Sequence, residues 1–361
     1  MPATRVGNHS PVHAVAITLL VLMAILMFSS AWNDTITTDE LPHIAAGYSY
    51  LVKDDSRLNP EHPPLMKDLA AIPLLFMNLR APWENKSWAE EINGQWEFGK
   101  LLIFGNDADA ITRAAKVPMI LFTLAFGWII FWWTRQEFGG AAALLALFLY
   151  AFSPTFLAHG RLVTTDVGAA AGFFIGTIGF LRFLKNPTRR NVALAGLAMA
   201  FALLTKYSTF GLALIAVILS AAWPVLHEEP GNRIRGIVRY LKLTACVLVV
   251  ALLAIYPVYL HHTWNFPPER QRDYVELGIS GQSQYKYAVH WASDKPVLRP
   301  WAAYMFGPIY VVQRSEFDNN PRYFWGNIHN TGLPLYFPFV YLVKEPLPLH
   351  LLTILALLLA L

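Results

Sequence analysis

The sequence predicts an all-α polytopic membrane protein: a transmembrane helix bundle with interfacial helices in a long first outer loop. Three observations carry this prediction. Of 361 residues, 55% are hydrophobic and 14% charged, whereas soluble domains carry about 25% charged residues. Apolar runs recur at close to the ~20 residues a helix needs to cross a hydrocarbon core. Basic residues gather in two short gaps between such runs, Arg182, Lys185, Arg189 and Arg190 in one and Arg233, Arg235, Arg239 and Lys242 in the other. Short Lys/Arg-rich loops face the cytoplasm, which fixes the orientation. These residues flank spans and form no separate basic domain, so nothing points to nucleic acid. The lone Cys246 excludes a disulfide framework within one chain.

Residues 12–31 form the first span, with Arg5 before it. A cleaved signal peptide is the rival reading, since Ser29-Ser30-Ala31 supplies small residues at the right end. The apolar core exceeds the ~7–15 residues of a signal's central region, so the span is read as retained, with a cytoplasmic N-terminus. Residues 1–32 are thus the N-terminus and first span, and 33–113 a first extracytoplasmic loop. Within that loop, 65–79 is apolar with helical period but too short to cross, which suits a helix lying on the interface. Trp83, Trp88 and Trp96 are candidates to anchor it at head-group depth.

Residues 114–260 hold a bundle of about six spans, expected at 114–133, 141–158, 166–184, 191–205, 210–226 and 240–260. Trp132, Trp133 and Arg135 mark the cytoplasmic exit of the first of these. Residues 261–333 form an aromatic-rich extracytoplasmic loop. The segment 334–361 is apolar but broken by Pro346 and Pro348, and reads as two short or partial spans around Lys344-Glu345, with the chain expected to continue in a longer protein.

The stretch from Thr37 onward, TTDELPHIAAGYSYLVKDDSRLNPEHPPLMKDLAAIPLL, concentrates the chemistry. Asp39-Glu40 follows closely on the first span, where a carboxylate pair is hydrated yet near enough to the bilayer to meet a lipid head group. Pro42 limits how early a helix begins here, which puts Asp39 at or near its N-cap, worth about 1 kcal/mol. Thr37-x-x-Glu40 also fits a capping box. Further on, Glu61-His62-Pro63-Pro64 forces an extended backbone at His62 and starts a new helix. The free N–H groups of a helix start suit a phosphate. Arg57 and Lys67 stand ready to add full charges, although an interfacial helix also snorkels basic residues to lipid phosphate.

These segments resemble the C-type membrane glycosyltransferases. TDELPHIAAGYSYL, RLNPEHPPLMKDLAAIPLL, HGRLVTTD, LLTKYS and LVKEPLP, in this order along most of the chain, look like the protein O-mannosyltransferase and aminoarabinose-transferase branch, which is glycosyltransferase family 39-like. The resemblance implies a GT-C-type bundle, a polyprenyl-phosphate sugar as donor and transfer with inversion. It makes Asp39 the candidate catalytic base and Asp166 a second carboxylate of the site. Relatives often carry Glu followed by Lys at the bend, so His62 departs from them and its charge is open. Aminoarabinose transferases suggest a divalent metal at Glu61 with a histidine, for which the spacing gives no signature of its own.

Chemistry agrees with that assignment. A hydroxyl acceptor loses its proton as it attacks, and a carboxylate within hydrogen-bond reach takes it. By the logic of inverting glycosidases, one carboxylate suffices without a covalent intermediate. Glu40 is then a catalytic-site carboxylate that either supports Asp39 from behind or positions the acceptor, and His43, Glu61 and Tyr207 are candidates to touch acceptor or sugar. Arg57, His62, Lys67, Arg161 and Lys206 are candidates to hold the donor phosphate, where negative charge grows. Asp166 and Arg161 fall at the outer end of the third and fourth spans, and ionisable residues at a membrane boundary read as functional by default. Lys206-Tyr207 lies in the next outer turn. Aromatic faces in 261–333 suit sugar rings and interface burial alike.

The expected protein is therefore a multi-pass plasma (inner) membrane glycosyltransferase. It moves a sugar from a polyprenyl phosphate to a hydroxyl of a protein Ser/Thr or of a lipid, on the extracytoplasmic face. No other cofactor is expected beyond a possible divalent metal. The rivals are a non-catalytic binder of lipid-linked sugar and a transporter. A transporter's site belongs among broken helices at the midplane, whereas here the ionisable residues gather in outer loops.

Overall fold

Five helices among the described residues are long and apolar enough to cross a membrane: Pro11–Trp32, Ala108–Phe138, Asp166–Lys185, Tyr207–His227 and Pro230–His262. The protein is a polytopic membrane helix bundle. The structure is a computed structural model and describes residues 10–281, 283–317, 322–330 and 333–360. Arg5 and Leu361 lie outside them.

In chain order the helices are α1 (Ser10–Trp32), α2 (Glu40–Lys53), α3 (Leu65–Ala71), α4 (Lys86–Ala89), α5 (Gln95–Phe104), α6 (Ala108–Phe138), α7 (Gly140–Ala151), α8 (Pro154–His159) and α9 (Asp166–Lys185). They continue with α10 (Arg189–Thr205), α11 (Phe210–His227), α12 (Arg233–His262), α13 (Pro268–Gly278), α14 (Gln284–Ser293) and α15 (Arg299–Phe317). The strands β1 (Arg322–Phe324) and β2 (Asn327–His329) follow, then α16 (Tyr336–Lys344) and α17 (Leu347–Ala360). The chain forms two compact units, one of Met1–Thr35, Lys116–Leu162 and Phe317–Leu361, the other of Ile36–Ala115 and Val163–Glu316.

In the first unit, α1 packs on α7 and α8, burying Ala16, Met23 and Met27 while Val21, Ile25 and Leu26 stay exposed, as a lipid-facing stripe requires. The expected single span 141–158 is two helices. Pro154 lacks the N–H that would continue α7, and Ser153 Oγ caps the new start by accepting from Phe156 N–H at 3.5 Å. α16 and α17 meet at 109°, with Pro346 and Pro348 at the break. The hairpin is the one strand pairing among the described residues. Trp325 and Gly326 turn it with φ of +50° and +85°, the left-handed pair that two-residue antiparallel turns favour.

In the second unit, α10 lies between α9 and α12, and α11 packs on α12. Their shared core includes Phe180, Phe183, Met199, Leu203, Val247 and Ile255. At 17 residues α10 sits at the short end of spanning length. Residues 36–107 are not a loose loop. The amphipathic α2 buries Ile44 to Tyr50 against α3 and α5. Gly47 permits this, because a Cβ there would overlap the Lys67 carbonyl.

The helix in 65–79, the segment expected to lie on the interface, is shorter than the apolar pattern implied. α3 ends at Ala71 and gives way to a 3-10 turn, Ile72–Phe76, with Pro73 at its second position and Met77 extended. Ile72, Leu75 and Phe76 present apolar surface. Trp88 is no head-group anchor: it is 8% exposed and meets Trp83 edge-on at 4.9 Å between ring centroids. Trp96 is exposed. The aromatic segment after α12 is also largely helical. Tyr274 and Tyr304 are core residues, whereas Trp264, Tyr285, Tyr287, Trp291, Tyr323 and Trp325 are exposed.

Candidate active site

Asp39 occupies the N-cap of α2, but its side chain makes no capping hydrogen bond and is exposed. Glu40 does the local work instead. Its carboxylate accepts from Thr37 N–H at 2.9 Å, the back-reaching half of a capping box, and from Val163 N–H at 2.9 Å. Glu40 is fully buried, so its role is to tie the start of α2 to the segment entering α9. One turn on, His43 Nδ1 donates to Val163 O at 2.9 Å, since a carbonyl only accepts. Burial, then the Lys67 charge, lowers the His43 pKa to about 4, so the ring is neutral and Nε2 is left as an acceptor.

Asp166 opens α9, and its Oδ1 accepts from Lys206 Nζ at 2.6 Å; both side chains are partly exposed. Lys206 is the C-cap of α10 and directly precedes the short turn into α11. Asp166 and Lys206 both act electrostatically on His43, which sits on the first turn of α2, just after Asp39. The start of α2, the start of α9 and the end of α10 therefore meet.

The Glu61-His62 bend joins the same cluster. Asn59 enters it with φ of +50°. Glu61 is 6% exposed, and its Oε1 accepts from Asn93 Nδ2 at 3.0 Å, Gln95 Nε2 at 2.8 Å and Arg314 Nη1 at 3.2 Å. The His62 and His43 rings meet edge-on, 5.0 Å between centroids. His62 is uncharged: burial, then His43, Lys67, Lys206 and Arg314, lower its pKa to about 2. As it stands the ring offers a phosphate no positive charge.

Three further expected phosphate ligands already hold other partners. Arg57 clamps Asp55 at 2.5 Å, donates to Trp88 O at 2.9 Å and lies over the Trp88 ring at 4.1 Å. Lys67 is 1% exposed, and its Nζ donates to Tyr50 OH, Asn59 O and His62 O at 2.7–2.8 Å. Burial lowers its pKa to about 7, and these bonds make it the pin that sets the bend. Arg161 belongs to the first unit and pairs with Asp34. The expected phosphate seat at the start of α3 is weak too, because the helix has seven residues and carries Asp68 in its first turn.

Asp68 instead binds His262, Oδ2 to Nε2 at 2.9 Å, fastening α3 to the end of α12. Glu61 does not fit a metal. Its Oε1 is taken by two side-chain amides and a guanidinium that donate to it, and no group of three His, Cys, Asp or Glu able to hold an ion occurs among the described residues.

Glu61, His62 and Lys206 form the polar end of a cavity of about 730 Å³. Its apolar wall comes from Phe210 and from Met305, Pro308, Ile309, Val311 and Val312 of α15. Tyr207 lines the cavity, and its hydroxyl hydrogen-bonds Tyr259 OH at 3.0 Å. Gly307 lets α15 lie against it, since a Cβ there would overlap the Tyr207 hydroxyl. Asn93, Gln95 and Arg314 were not among the residues expected at the site. For Arg314 a signal existed: WAAYMFGPIYVVQR is an apolar helical run closed by polar residues.

Comparison with known proteins finds a similarity over part of the chain. Residues 100–261 match the family described as dolichyl-phosphate-mannose-protein mannosyltransferase. This stretch includes Asp166 and Lys206 but neither Asp39 nor the Glu61 bend. No curated protein and no solved structure matches the chain. The chain is thus a membrane helix bundle with a distant similarity to that mannosyltransferase family, consistent with the GT-C-like glycosyltransferases.

Proposed function

We propose that the protein is an inverting glycosyltransferase that moves a sugar from a polyprenyl phosphate to a hydroxyl of a protein or lipid acceptor on the extracytoplasmic face. The observation that carries this reading is that Glu61, His62 and Lys206 line a mostly apolar cavity, with Asp166 paired to Lys206 and His43 packed against His62 behind them. A lipid phosphate has that dual character, a charged head on an apolar chain. Phe210 and the α15 side chains suit the prenyl chain, and Lys206 suits the phosphate.

In the reaction the acceptor oxygen forms a bond to the anomeric carbon and the bond from that carbon to the phosphate oxygen breaks. The phosphate keeps the electron pair and the acceptor proton passes to Asp39. Asp39 suits this role because its carboxylate is exposed and spends nothing on the helix cap. Asp166 holds Lys206 in place, and neutral His43, with Nε2 as acceptor, suits a sugar or acceptor hydroxyl. Tyr207 adds an aromatic face.

The test is transfer from a labelled polyprenyl-phosphate sugar by the solubilised full chain and by Asp39→Asn. Transfer is expected from the native protein and a loss of at least about 10²-fold in the variant, the scale of general-base catalysis. Undiminished transfer by the variant, or none by the native chain from any polyprenyl donor, would overturn the proposal.

A further inference from the structure

Both cations beside the polar end of the cavity already hold a carboxylate. Lys206 pairs with Asp166 at 2.6 Å, and Arg314, one residue beyond the cavity-lining Gln313, pairs with Glu61 at 3.2 Å. The second pair is asymmetric. The Arg314 side chain is 48% exposed and the Glu61 side chain 7%. Glu61 is also held by Asn93 and Gln95, so it keeps its place and two of its hydrogen bonds when the arginine swings away. Arg314 is the movable partner and Glu61 the fixed one.

Resting on the glycosyl-transfer reading, the chemistry gives that asymmetry a use. The donor is a phosphodiester with one negative charge. When the bond to the anomeric carbon breaks, the lipid keeps a phosphomonoester carrying about −1.5 to −2 at neutral pH. Cations that help the phosphate leave therefore hold the product more tightly than the donor, and the product must still depart. We propose that Arg314 is a phosphate ligand of this site and that Glu61 is a resident counter-anion that reclaims it, expelling the lipid phosphate by exchange of ion pairs. Glu61 then competes with the product and does not bind the acceptor.

The experiment is a titration of the solubilised full chain with a C55 polyprenyl monophosphate, for the native protein, Glu61→Gln, Arg314→Gln and the double variant. Glu61→Gln is expected to tighten binding by up to about fivefold, the upper end for a partly exposed ion pair, and Arg314→Gln to weaken it by a similar factor. In the double variant the gain from Glu61→Gln disappears, because no arginine is left to release. Unchanged or weaker binding by Glu61→Gln, or the same gain with Arg314 absent, overturns the inference. Should Glu61→Gln fail to fold, Arg314→Gln alone decides: inhibition of transfer by the monophosphate must weaken, and an unchanged inhibition constant overturns it. Failure of the native protein either to bind the monophosphate or to transfer sugar counts against the glycosyl-transfer reading itself.

Discussion

Glu40 and Val163 lie 123 residues apart in the chain, yet the Glu40 carboxylate accepts the Val163 N–H at 2.9 Å and draws the start of α2 onto the entry to α9. Adjacent carboxylates thus have opposite surroundings, one buried and doubly bonded, the other exposed. Glu40→Ala leaves the Val163 N–H without this acceptor, at a cost of about 1–3 kcal/mol for an unsatisfied buried donor. Its thermal midpoint should fall clearly below that of the native protein. Asp39→Asn should leave the midpoint unchanged while abolishing transfer. A stable Glu40→Ala would remove Glu40 from its tying role.

Acid should loosen the site. The folded pKa values of His43, about 4, and His62, about 2, lie below the ordinary 6.5. Between those values and 6.5 the unfolded chain binds more protons than the folded one, so stability falls as pH drops. Above pH 6.5 both rings are neutral in either state and contribute no slope. Thermal midpoints measured from pH 7 to pH 5 should therefore decline, and His62→Asn should decline less steeply. An identical slope in the variant would show that the buried His62 ring is not the source.

A methyl group tests the cavity wall. In Gly307→Ala the added carbon overlaps the Tyr207 hydroxyl, so either α15 moves out or Tyr207 gives up its bond to Tyr259. Overpacking of this kind costs about 1–3 kcal/mol. Gly211→Ala is the control, since the nearest atom to its new carbon, Phe173 Cζ, lies 3.9 Å away. A lowered midpoint and weaker donor binding are expected only for Gly307→Ala, and equal behaviour of the two would mean that the approach of α15 to Tyr207 is not tight in solution.

Much of this architecture was legible because it is local. The apolar runs gave the long helices, and their ends placed Asp166 at the start of α9 and Lys206 at the end of α10. What escaped depends on partners distant in the chain. Arg57 and Lys67 read as available charges because spacing alone does not show that Arg57 turns back onto Asp55 and under Trp88 carried in by α4, or that Lys67 is enclosed by Tyr50 and the carbonyls of Asn59 and His62. The neutrality of His62 follows from burial and from His43 and Lys206, none of which spacing reveals. The helix α15, with Arg314, was hidden by its aromatics, which suggested a surface loop.

That distinction between committed and available cations gives a last prediction. Lys206 and Asp166 are both partly exposed, so the pair contributes only about 0.2–1 kcal/mol to stability. Lys206→Gln should hardly change the thermal midpoint but should raise the KM for the polyprenyl-phosphate donor. Arg57 is the reverse case: 9% exposed, bonded to Asp55 and Trp88 and stacked on the indole. Arg57→Ala strands the buried Asp55 carboxylate, and breaking a buried pair costs about 3–5 kcal/mol. The folded fraction of Arg57→Ala should be depleted, while its remaining active molecules keep a near-native KM. A raised KM for Arg57→Ala alongside an unaltered one for Lys206→Gln would exchange the two roles, and with them the place where the phosphate binds.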